Sequence, residues 1–440
     1  MKKSKRISCL ISLLLVGAIA LNLGGCVFLP TNSNDVSETE SDTQPMDEDN
    51  TESDTDAPTP GGDVTPAPGS NDAVVTDFAL RLFNANNTAS DGQNVLVSPL
   101  SVLCALALVA NGAEGETLAQ METMMGMSVD ELNAYLSDYI NSLPQDEKYK
   151  LSLANSVWYT NNNSFTVNEE FLQTNADYYN ADIHQAAFDQ ETLQDINNWV
   201  NDKTDGMIPS ILEDISPDAV MYLINALAFE AEWASVYTEE QVRDGQFTTE
   251  DGVKQDVEFM YGTEDHYIAD DYASGFIKYY KHYRYAFVAL LPDEGVSVSD
   301  YLATLNGESL HAMLTAPRQD NVVVHTAIPK FETEYAVEMS DILKSMGMTD
   351  AFDESVADLS GLGTSAAGRL FISNVMHKTY IQVGEQGTRA GAATSVELEA
   401  GSGPMEIVEM EVYLDRPFVY MLIDCENDIP FFIGTVMSVE

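Results

Sequence analysis

The sequence predicts an α+β domain, with helices gathered toward its start and strands toward its end. Between Ala73 and Leu143 the apolar residues recur at helical spacing. Beyond Leu151 they collect in short runs rich in Val, Ile, Phe and Tyr, several apolar on both faces as central strands require. The strands lie far apart in the chain, with few βαβ units and no internal repeat, which sets the domain apart from doubly wound sheets.

Ala73–Asn86 reads as a helix through Val74, Phe78 and Leu82. Ser98 before Pro99 opens a nearly all-apolar helix running to Ala113, because Pro at the first helical position has no amide to leave unpaired. Gly115–Met125 and Ser128–Leu143 follow as amphipathic helices, the latter opened by the capping-box pattern Ser128-Val129-Asp130-Glu131. Strands are predicted at Leu151–Tyr159, Ala219–Ala228, Phe276–Tyr280, Tyr285–Leu291 and Val322–Ile328. Four more are predicted at Arg369–Asn374, Tyr380–Val383, Phe418–Ile423 and Phe431–Val436.

The 440 residues suffice for one large domain, and 73–440 reads as one. A formal net charge of −51 argues against nucleic acid, whose phosphates need clustered Lys and Arg. Solubility outside the cell explains that charge. Lys2, Lys3, Lys5 and Arg6 precede the apolar run Ile7–Leu23, which ends in small residues before Cys26. A basic start, a short apolar core and small terminal residues describe an export signal over 1–25. The junction with Cys26 resembles the lipobox of bacterial lipoproteins. That resemblance implies lipidation of Cys26, anchoring to the bacterial cell envelope and an extracytoplasmic domain. Residues 26–72 then form an acidic tether; no Lys or Arg occurs from Val27 to Leu80, so the segment cannot bury enough apolar area to order itself. Cys104 and Cys425 lie in distant apolar segments and read as two buried free thiols rather than a disulfide.

The stretch Thr388–Ala400 alternates. Thr388, Ala390, Ala392, Thr394, Val396, Leu398 and Ala400 are small or apolar, and the residues between are mostly polar or featureless. One set can face a core and the other water. Its Ala and Gly content gives weak strand propensity, and Gly401-Ser402-Gly403-Pro404 opposes continuation. A loop that can become a strand fits this pattern.

Six motifs in order then carry a family resemblance. They are Asn94–Ser101; Asn225–Phe229 with Trp233; Pro329-Lys330-Phe331; Met348–Phe352 with Ala357–Ser360; His377-Lys378 with Glu385–Ala390; and Arg416-Pro417-Phe418 with Phe431–Gly434. Across Ala73–Glu440 the chain resembles a serpin. The resemblance implies three β-sheets, eight or nine helices and an exposed reactive-centre loop. It also implies inhibition of serine proteases. The protease attacks the loop as substrate and forms an acyl-enzyme; the cut loop inserts into the main sheet, and the distorted protease cannot deacylate. A covalent complex with a serine protease is the implied partnership, and no cofactor is implied.

The hinge, Glu385, Gly387, Thr388, Ala390, Gly391, Ala392, Ala393 and Thr394, puts no bulky, charged or Pro residue on the inward face. Arg389, its one bulky residue, falls on the solvent face. Inhibition is therefore expected, the alternative being a non-inhibitory serpin that acts as cleavable decoy or binding module. By resemblance Ser98, Ser101, Asn225 and His377 form the polar cluster where the central strands part, and Trp233 stands at the upper mouth of the sheet. For Trp233, plain packing is an equal explanation.

Counting from Glu385 places the scissile bond after Ala400 or Gly401, before Ser402. Counting back from Pro417 places it near Met405–Glu406. The N-side length sets how far the protease is dragged, which favours the first. Each choice offers a small or medium apolar residue and no basic one, pointing to elastase-like or subtilisin-like targets. Cleavage after Glu399 by a Glu-specific protease is a minor alternative. Glu397, Glu399 and Glu406 add charge that suits a basic protease. Ser128–Leu143 carries Asp130, Glu131 and Asp138 and no basic residue, so no heparin activation is expected. The six scattered histidines include no HExxH pair, no GxSxG elbow accompanies them, and no enzyme or metal site is read.

Overall fold

The computed structural model describes residues 16–23 as backbone, and 70–144, 149–216, 218–388 and 407–439. In chain order the first elements are β1 (Val16–Leu23), α1 (Asn71–Ala89), β2 (Leu96–Val97), α2 (Pro99–Ala110), α3 (Gly115–Met125) and α4 (Val129–Ser142). Then come β3 (Tyr149–Thr160), β4 (Phe165–Val167), α5 (Glu169–Tyr179), β5 (Asp182–Ala186), α6 (Gln190–Lys203) and β6 (Ala219–Glu232). The middle of the chain supplies β7 (Val242–Thr248), β8 (Lys254–Glu264), β9 (Tyr267–Ala269), β10 (Ala273–Tyr279) and β11 (Tyr285–Pro292). There follow α7 (Val298–Thr304), α8 (Gly307–Leu314), β12 (Val322–Pro329), β13 (Phe331–Glu338) and α9 (Ser340–Ser345). The last are β14 (Gly363–Ser365), β15 (Leu370–Gly384), β16 (Gly387–Thr388), β17 (Val408–Tyr413), β18 (Phe418–Asp424) and β19 (Ile429–Val436).

The helix starts follow local chemistry. Ser98 caps α2 by accepting the Ser101 amide, with Pro99 in the first turn, and all twelve α2 residues are buried. Ser128 and Glu131 form the expected capping box on α4. Helix α2 ends at Ala110, short of the predicted Ala113; the Asn111 side chain turns instead to Asn133 and Asn175. Helices also occur beyond Leu143, α5 and α6 between β3 and β6 and α7 to α9 in the second half, where polar composition or short length hid their periodicity.

Three large sheets and a two-stranded one account for the strands. The main sheet runs β13, β15, β6, β3, β5, with β1 and β16 sharing one gap between β15 and β6. The second runs β2-β19-β18-β11-β10-β9, the third β17-β12-β8-β7, and β14 pairs β4. Helix α2 packs on β6 and β19, so the core lies between the main and second sheets. Strand β15 is continuous where two strands, Arg369–Asn374 and Tyr380–Val383, were predicted. The polar residues between them find partners inside the protein: His377 accepts the Ser98 amide, and Thr379 Oγ1 donates to the Leu96 carbonyl at 2.7 Å. Cys104 and Cys425 are both free; Cys104 is buried and Cys425 only half-buried. Burial pushes both thiols up to about 12.

Candidate functional site: a gap in the main sheet and its hinge

Strands β6 and β15 both run antiparallel to β1 and therefore parallel to each other. Where β1 lies between them they stand two strand spacings apart, about 9.5 Å. Val16–Leu23, read above as the end of the export signal's apolar core, fills this lower part of the gap as backbone. Its register is informative: Gly17 is opposite His377 on one side and Asn225 on the other. The gap thus accepts an eight-residue antiparallel strand with ladder pairing on both edges.

The upper end holds the start of the hinge. Gly387 and Thr388 form β16, pairing with Glu232 and Ala231 of β6 and with Gly384 and Val383 of β15. Gly387 has φ of +146°, and a Cβ there would lie 2.1 Å from the Ala231 carbonyl oxygen. Only glycine fits. Thr388 is buried, and its hydroxyl hydrogen-bonds to that of Tyr280. Its inward placement agrees with the alternation of the sequence.

Trp233 secures the turn between β15 and β16. Its indole N–H donates to Gly384 at 2.9 Å, and its backbone amide donates to Gln386 at 2.9 Å. The ring is fully buried and stacks on Tyr280 at 4.3 Å. Lys278 Nζ lies 5.2 Å from the indole centroid and 2.7 Å from Glu264 Oε1. Burial works against the Lys278 charge, but Glu264 and Tyr237 outweigh it and raise its pKa. Glu385, the first hinge residue, is held from outside: Lys330 Nζ lies 2.7 Å from Glu385 and 2.9 Å from Glu258. Partial burial opposes both charges, but the pairing prevails, so Glu385 is lowered and Lys330 raised.

The four cluster residues are all fully buried. His377 Nε2 accepts the Ser98 amide at 3.2 Å, and Ser98 Oγ accepts the Ser101 amide at 3.3 Å. Asn225 reaches the other way, donating to Asn155 at 2.8 Å. Ser98, Ser101 and His377 are thus brought together, while Asn225 faces them across the gap. Among the described residues Ser101 Oγ, Asn225 Oδ1 and His377 Nδ1 find no hydrogen-bond partner. Burial alone lowers the His377 pKa to about 3, so the ring is neutral.

Residues 389–406 lie outside the described residues, and with them hinge positions Ala390 to Thr394 and the bond candidates Ala400, Gly401, Ser402, Met405 and Glu406. Cys26 and the tether to Gly69 do so too. Lys330, Tyr280 and Asn155 contribute to the site yet were not singled out for it. Lys330 stood in a motif read only for its resemblance; the other two contacts depend on strands that meet only in space. Among the described residues no group of three or more His, Cys, Asp or Glu could hold a metal. No described helix is long and apolar enough to cross a membrane.

A three-sheet α+β body whose main sheet holds the start of a loop between two parallel strands defines the serpin class of fold. Residues 73–439 match the family described as "Serpin (serine protease inhibitor)", and the chain belongs to that family. It is 29% identical to mouse (Mus musculus) neuroserpin over 390 residues, covering 84% of this chain and 92% of that one. It is similar to the crystal structure of the thermophilic serpin tengpin in the native state, at 47% identity and a TM-score of 0.76, covering 83% and 94% of the two chains. Tengpin in the latent state matches at 44% identity and a TM-score of 0.74, covering 85% and 100%.

Proposed function

We propose that this serpin is a suicide-substrate inhibitor of serine proteases that traps the acyl-enzyme by inserting its cleaved loop into the gap between β6 and β15. The carrying observation is the seated hinge: Gly387 and Thr388 already pair with both strands, in line with a gap that takes a full antiparallel strand. The protease serine attacks the loop carbonyl, the peptide bond breaks, and the new amine leaves with a proton. The acyl half remains joined to Thr388 through residues 389–400. Extending β16 downward adds ladder hydrogen bonds on two edges, and the bound protease must follow. Ser98, Ser101, Asn225 and His377 act as the point where the strands part. Their unpaired polar atoms in the opened arrangement suit groups that re-pair when the strands close. Trp233 and the Lys330–Glu385 pair set where insertion begins.

The loop's lack of Arg or Lys near either candidate bond favours elastase-like or subtilisin-like targets. Cys26 serves as the lipidated first residue of the exported protein, anchored to the cell envelope by its tether. Removal of residues 1–25 would also remove Val16–Leu23, leaving the gap to the reactive loop. Incubation with radiolabelled palmitate should label the chain, and Cys26→Ala should abolish the label.

Mixing the purified processed chain with elastase and resolving the products on denaturing gels tests the main reading. A band at the summed mass that survives denaturation is expected. Cleaved protein alone, with no such band, would make the chain a decoy. N-terminal sequencing of the released fragment locates the bond.

A further inference from the structure

The turn that leads into β16 is gripped by its backbone. Trp233 donates its indole N–H to the Gly384 carbonyl and its amide to the Gln386 carbonyl, and the Tyr237 amide donates to the Glu385 carbonyl at 3.0 Å. Three successive carbonyls, 384 to 386, are thus taken by one short segment, Trp233–Tyr237. Gly387, the next residue, enters the gap.

The gripping segment is a bend, exposed at Ala234 and Ser235. A buried cation holds it. Lys278 of β10 is 2% exposed, and its Nζ donates to the Ser235 carbonyl at 3.3 Å and to Glu264 Oε1 at 2.7 Å. The same Nζ lies 4.6 Å from the ring centroid of Tyr237 and 5.2 Å from that of Trp233, the two residues that grip the turn. The Ala234 amide adds a tie to the Tyr279 carbonyl at 3.0 Å. An ammonium is stably buried only where it is paired and hydrogen-bonded. Apart from Glu264, the partners of this one all belong to the bend.

The grip bears on register. Thr388 is buried and faces inward, so by the alternation Arg389 falls on the solvent face. A slip of one residue exchanges the two faces and would turn Arg389 into the sheet. We propose that Lys278 is a positioning residue that pins the bend and so fixes the register in which the loop enters, Thr388 inward and Arg389 outward. The consequence for trapping rests on the inhibitory reading above: a strand out of register stalls, and the acyl-enzyme gains time to hydrolyse. The pin itself does not rest on that reading.

Lys278→Met combined with Glu264→Gln removes the cation, keeps apolar bulk between the rings and leaves no unpaired buried carboxylate. Amide exchange at Gly387 and Thr388 of the uncleaved, processed chain should quicken about tenfold, as expected for one lost hydrogen bond from a charged donor. Exchange within about twofold of wild type would overturn the pin. Lys278→Gln combined with Glu264→Gln, one bond shorter toward Ser235, should act alike and decides the matter if the first pair does not fold. Glu264→Gln alone keeps the ammonium on Ser235; a quickening equal to that of the pair would overturn the role of Lys278. Arg389→Ala tests the register. It should lower the stoichiometry of elastase inhibition more in the Lys278→Met, Glu264→Gln background than in the native one, because only a slipped strand brings Arg389 inside. If the wild type forms no covalent complex, the inhibitory reading fails and the same comparison is made on the thermal midpoint of the cleaved chain, which Arg389→Ala should raise more in the variant background. Equal effects in the two backgrounds would overturn the register role.

Discussion

Gly387 and His377 are the two positions where one atom decides most. At Gly387 any Cβ meets the Ala231 carbonyl oxygen, and φ of +146° disfavours L side chains. Gly387→Ala should unseat β16 and cost about 1–3 kcal/mol. A lower thermal midpoint of the uncleaved chain, with a higher stoichiometry of elastase inhibition, is the expected result. His377 has a folded pKa depressed from 6.5 to about 3 by burial. Above pH 6.5 both folded and unfolded chains carry it neutral, and its contribution is fully present. Below 6.5 the unfolded chain takes up the proton first, so stability declines as pH falls toward 3. Urea unfolding between pH 7 and 4 should show this decline, and His377→Gln should flatten it. Neither constraint was visible in the residue types alone: the glycine was read as a hinge residue without its clash, and the histidine by resemblance without its neutral state.

Elements set how the hinge is held. The turn from β15 to β16 is pinned by Trp233 from within and by Lys330 from outside. Lys330 is about a third exposed and bridges two carboxylates, so each pair contributes at most about 1 kcal/mol. Lys330→Ala should lower the thermal midpoint by about a few degrees, or less, in differential scanning fluorimetry. It should also speed insertion of a synthetic peptide of residues 388–400 into the processed chain, because Glu385 loses its anchor. Strand β15 teaches the same lesson from the other direction. Its middle, Val375 to Thr379, looks too polar for a central strand, yet Ser98, Leu96 and Tyr335 take up its donors and acceptors. Period-two patterning located the apolar ends of β15 and missed the polar centre, where long-range pairing outweighs propensity.

Charge acts over the whole molecule. At −51 the chain presents a field that slows acidic partners and attracts basic ones. Association with a basic elastase-like protease should slow several-fold between about 0.05 and 0.5 M salt, since screening shortens the reach of that field. Stopped-flow inhibition kinetics measure this. Heparin should leave the rate unchanged: α4 begins with Asp130 and Glu131, and Arg and Lys are absent from it. Cleavage should raise the thermal midpoint of the processed chain, because a strand gained between β6 and β15 closes the main sheet.

The sequence by itself determined the α+β class, the strands β3, β6, β10, β11, β12, β18 and β19 and the two ends of β15, the helix caps at Ser98 and Ser128 and the inward side of Thr388. These follow from periodicity, capping chemistry and side-chain size, all local properties. The tertiary structure alone decided that β6 and β15 leave room for another strand and that His377 faces Asn225 across it. It also placed Gly387 against Ala231. Each of these joins residues distant in the chain, and no local pattern records which strand ends beside which.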